Sequence, residues 1–76
     1  MSDRGAKVQA LKLKYEAEIA EYKVDVENYL KHSVGVAEHP HIIESLDLLI
    51  SKLANAEDKL NSLINHFSVN LYERDL

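Results

Sequence analysis

A chain of 76 residues with no cysteine and a formal net charge of −4 is one small domain, with neither a disulfide nor a thiolate metal site to staple it. No apolar run approaches the roughly 18 residues of a membrane span, and the start Met1-Ser2-Asp3-Arg4-Gly5 lacks the charged-then-apolar order of a signal peptide, so a cytoplasmic protein is expected. Six bases balance six acids over residues 1–31 and three bases face seven acids over 32–76, so there is no basic stripe and neither nucleic acid nor membrane is an expected direct partner.

The first predicted element is a helix from about Asp3 or Ala6 to Ser33. Its large apolar residues Val8, Leu11, Tyr15, Ile19, Tyr22, Val26 and Leu30 are spaced 3-4-4-3-4-4, an 11-residue repeat that makes a nearly straight stripe. A second set, Ala6, Ala10, Leu13, Ala17, Ala20 and Val24, is spaced 4-3-4-3-4. At about 100° per residue the two sets centre near 70° and 240°, on almost opposite faces of one helix. Alanine is the best helix former, so the four alanines alone would mean only propensity. Leu13 and Val24 share their line and spacing, and a second contact surface follows from them.

The chain then turns through Val34-Gly35-Val36-Ala37-Glu38-His39-Pro40, which holds the only proline and the only glycine beyond position 5. Gly35 suits the left-handed position just past a helix C-terminus. Pro40 suits the first turn of a new helix, where its missing N–H costs nothing. The expected turn spans residues 34–39.

The second predicted helix runs from Pro40 to about Leu71. Ile42, Leu46, Leu49, Leu53, Ala56, Leu60, Leu63 and Phe67 keep an unbroken 4-3-4-3-4-3-4 spacing, a coiled-coil seam over more than three heptads. Ile43, Ile50, Ile64 and Leu71 share one flanking position, interrupted by Glu57, and widen the stripe. A stripe this wide can meet two neighbouring helices. Asn55, Asn61 and Asn65 fall on the polar side.

If the turn fixes the register, facing residues have numbers summing to about 72, and Tyr15 falls opposite Ala56, large against small. The predicted fold is all-α: one domain over residues 1–76, an antiparallel two-helix hairpin. Two bare helices cover each other's stripes only in part, and the core of so small a chain hardly outweighs its conformational entropy. A second hairpin supplies the missing layer, so a dimeric four-helix bundle is the expected assembly. The surfaces expected to carry it are Ala10, Leu13, Ala17, Ala20 and Val24 on the first helix, with Ile43, Ile50 and Ile64 on the second.

Chemistry-bearing residues cluster at the turn: His32, Glu38, His39, His41 and Glu44. His39 and His41 flank a proline and do not form the i, i+4 helical pair of a strong zinc signature, so a solvated polar turn is the better reading and no metal ligand is assigned. No nucleophile–base pair is visible, no glycine-rich phosphate loop exists, and no catalytic residue or cofactor is expected. Tyr15 and Tyr22 lie on the seam stripe, where a ring packs and a hydroxyl reaches water, rather than on a base-stacking platform.

The turn from Tyr29 to Pro40, followed by Ile42 and Ile43, together with Ile-Ser-Lys-Leu-Ala-Asn-Ala-Glu-Asp-Lys-Leu at 50–60, resembles small uncharacterised helical proteins of T4-like tailed phages, including those of marine cyanobacteria. The resemblance covers about half of the chain. It implies a phage origin and a location in the host cytoplasm, and carries over no activity, cofactor or functional residue. The expected function is that of a non-enzymatic helical interaction or assembly protein, self-associating as a homodimer and acting on a host or virion protein. The alternative is a small acidic regulator of nucleic-acid machinery, working by mimicry or by binding a polymerase or nuclease.

Overall fold

The computed structural model describes residues 3–32 and 41–67. Helix α1 spans Asp3–Lys31 and helix α2 spans Ile42–Phe67; the two pack against each other as an antiparallel pair, and no strand occurs among the described residues. The expected cap at Gly35, the proline start at Pro40, and Leu71 at the end of the second helix all lie outside the described residues.

Helix α1 follows from its composition. No helix breaker occurs between Ala6 and Lys31, and four i, i+4 ion pairs line its surface: Asp3–Lys7 at 3.1 Å, Lys12–Glu16 at 3.6 Å, Lys14–Glu18 at 2.8 Å and Glu27–Lys31 at 3.5 Å. The first and last have the acid N-terminal to the base, the orientation that also agrees with the helix dipole. Their side chains are substantially exposed, so they favour the local helix more than the tertiary fold. The last intrahelical link reaches one residue further, where the His32 N–H donates to the Asn28 carbonyl at 3.0 Å.

Helix α2 begins where the Ser45 N–H donates to the His41 carbonyl at 2.9 Å, which makes His41 the N-cap residue. Glu44 stands in the first turn, the favourable end for an acid, and its Oε1 lies 3.4 Å from His41 Nδ1.

Two cross-helix contacts fix the register independently. The Lys59 ammonium lies 5.9 Å from the Tyr15 ring centroid, and an Arg4 guanidinium N–H donates to the Phe67 carbonyl at 2.9 Å. These pairs have numbers summing to 74 and 71, bracketing the 72 expected from the turn. The Arg4 contact gives one of the bases near the N-terminus of α1 a partner on α2, while Lys7, Lys12 and Lys14 pair with acids of their own helix. The antiparallel fold brings Arg4 to the C-terminal end of α2, the end of a helix that favours a cation. Arg4→Met should therefore speed amide exchange over the last turn of α2 while costing less than about 1 kcal/mol globally. Exchange followed by NMR would check both.

The core is thin. Only Ala56 and Leu63, 3% and 8% exposed, are buried among the described residues; Val8, Tyr15, Ile19, Tyr22 and Val26 on α1, and Ile42, Leu46, Leu49, Leu53 and Leu60 on α2, are half-buried. The reason is geometric. The described residues form two helices packed side by side, a single layer with no third element over the seam, which stays open above and below.

Candidate interaction surfaces

The open layer leaves three apolar surfaces. The first is the outer face of α1, turned away from the seam. Ala6, Ala10, Leu13, Ala17, Ala20 and Val24 are all exposed, with Leu13 at 55% and Val24 at 58%. Of the stripe that faces α2, Val8, Tyr15, Ile19, Tyr22 and Val26 are half-buried, so the two apolar sets do lie on different faces. Leu11 at 38% and Leu30 at 62% are exposed, contrary to the expectation that the whole stripe packs on α2.

The second surface is a flank of α2. Ile43 is 72% exposed and Ile50 is 48% exposed, while Ile64 on the same line is half-buried. Glu57 interrupts this row and is itself exposed. A docking helix would have to offer Glu57 water or a cation, because an unpaired carboxylate is costly to bury. Leu48 is also exposed, at a position off the seam pattern.

The third surface was not anticipated by periodicity. An open groove of about 740 Å³ runs between the start of α1 and the end of α2. Val8, Leu11, Tyr15, Leu63 and Phe67 form its apolar floor, and Asp3, Arg4, Lys7, Asp58, Lys59 and Ser62 its polar rim. It exists because one side of the seam lacks a covering element. The edge-on contact of His66 with Phe67, ring centroids 6.0 Å apart, lies at the same end. The sequence signal for it was present in the mismatch between wide apolar stripes and only two helices. Its position was not, because spacing alone does not say which flank of the seam opens wider.

The polar groups offer little chemistry. Among the described residues no three histidine, cysteine or acidic side chains converge on a metal-sized site. Of the turn cluster, His41 and Glu44 are adjacent and His32 is exposed at the end of α1, while Glu38 and His39 lie outside the described residues. Lys14 has its pKa raised above the ordinary lysine value by the hydrogen bond and charge of Glu18. That pairing is complete below about pH 10.5 and fades as pH rises through the raised value, so it is constant across the physiological range. No helix among the described residues is long and apolar enough to cross a membrane. No protein-family profile, curated protein or solved structure matches the chain.

Proposed function

We propose that this chain is a non-enzymatic helical interaction protein that self-associates and uses the rest of its apolar surface to hold a protein partner. The observation that carries this reading is the imbalance between covered and uncovered apolar side chains. Among the described residues two are buried, while Leu13, Val24, Leu30, Ile43, Leu48, Ile50 and Phe67 stand about half exposed or more. Exposed apolar side chains recurring along one helix face, as Leu13 and Val24 do on α1 and Ile43 and Ile50 on α2, mark candidate contact sites. A chain this short also gains from a second copy, because a two-helix core hardly exceeds its folding entropy. Self-association through one surface leaves another for a host or virion protein, in line with the resemblance to small phage proteins.

Coupling of folding to association makes stability concentration-dependent. About a hundredfold dilution changes the association term by about 2.7 kcal/mol, which lowers the melting temperature by roughly 5–10 °C for an assembly of this size. Circular dichroism melts across that dilution series check it. A melting temperature independent of concentration would mean a self-sufficient monomer and would overturn the proposal.

A further inference from the structure

We infer that the occupant of the outer face of α1 is the same face of a second copy, running antiparallel, so that the two hairpins form a flat layer of four helices in the order α2, α1, α1, α2. This rests on the self-association proposed above and specifies its face, direction and register.

Direction follows from charge. Residues 3–14 of α1 carry four bases against one acid, and residues 16–27 carry five acids against one base. A parallel partner would lay like halves together; an antiparallel one sets the basic half of each helix on the acidic half of the other. Register follows from the stripe itself. Its 4-3-4-3-4 spacing reads the same in both directions, so an antiparallel copy pairs all six positions when facing numbers sum to 30. Leu13 then meets Ala17, Val24 meets Ala6, and Ala10 meets Ala20: each large residue faces a small one. A slip of one heptad leaves only four of the six paired and, in one direction, sets Leu13 on Val24.

The flanking charges fit the same register. Lys7 comes beside Glu21 of the other copy. The two charges that approach their own counterparts near the dyad, Lys14 and Glu16, are each held within their own helix, by Glu18 at 2.8 Å and Lys12 at 3.6 Å. The flat arrangement follows from the placement of the two apolar sets. The outer face is opposite the seam, so pairing through it extends the layer sideways rather than closing a square bundle, and it leaves the groove at Val8, Tyr15 and Phe67 open.

Cysteine pairing tests this in the full chain, which has no cysteine of its own. Ala10→Cys and Ala20→Cys are small changes on exposed positions, and one variant carries a short tag so that the products separate by mass. The two are refolded together under mild oxidation, and each is also oxidised alone. The antiparallel register predicts that the mixed disulfide dominates and that each variant alone crosslinks poorly, because disulfides need closely opposed Cβ atoms. Efficient self-crosslinking of each variant alone would mean a parallel pair and overturns the inference. A dimeric mass by sedimentation with no crosslink places association on another face; the self-association reading then stands and this inference falls. A monomeric mass for both variants and the parent chain overturns the two together.

Discussion

Ala56→Glu should abolish cooperative folding of the hairpin. Ala56 is the most buried residue described, at 3% exposure, and the register places it opposite Tyr15, whose ring lies beneath Lys59. A small residue there lets the two helices approach. A glutamate must either bury its carboxylate beside an aromatic ring or force the helices apart, and either costs several kcal/mol. The whole margin of a core this small is about 3–5 kcal/mol, so the loss is decisive. Ala54→Glu, one position from the seam stripe on an exposed part of the same helix, keeps a good helix former and should shift stability by less than about 0.5 kcal/mol. Thermal melts of the two variants side by side separate the effect of the seam from the effect of the glutamate.

Ala17→Glu should dissociate the assembly and leave the hairpin only the marginal stability of a single copy. Ala17 is exposed within one chain, so the seam does not notice the change, and helix propensity hardly alters. In the antiparallel pair it meets Leu13 of the other copy close to the dyad, and symmetry introduces the carboxylate twice. Burying these charges in an apolar contact costs about 2–4 kcal/mol, a loss of roughly 30- to 1000-fold in affinity. The variant should keep only part of its helical signal and melt, independently of concentration, near the temperature that the parent chain reaches only on dilution. Ala20→Glu should behave alike, one layer further from the dyad, where it meets Ala10 of the other copy.

Much of this architecture was legible in the sequence because helical periodicity is set by local chemistry. The spacing of Ile42 through Phe67 defined one face of α2, and the two sets on α1 defined two faces, as the partial burial of Tyr15 and Ile19 and the exposure of Leu13 and Val24 show, although the seam residues Leu11, Leu30 and Phe67 remain exposed. The register was legible because the short turn limits the offset between helices, and the Lys59–Tyr15 and Arg4–Phe67 contacts agree with it. The groove and the role of Arg4 were not legible in the same way. Periodicity records which residues face the seam, but not which flank opens, since that depends on how the helices cross. Arg4 bonds to a backbone carbonyl, and no side-chain pattern encodes such a partner. Leu48 has no account in the hairpin; it lies off the seam line and is exposed.

The central claim is that the outer face of α1 joins two copies of this chain. Sedimentation equilibrium of the parent chain and of Ala17→Glu at micromolar concentration tests it most directly. The parent should sediment at twice the chain mass of 8.7 kDa, and Ala17→Glu at a single chain mass with a lower melting temperature and only residual helix. A parent chain that remains a well-folded 8.7 kDa species, or an Ala17→Glu variant as dimeric as the parent, would contradict it.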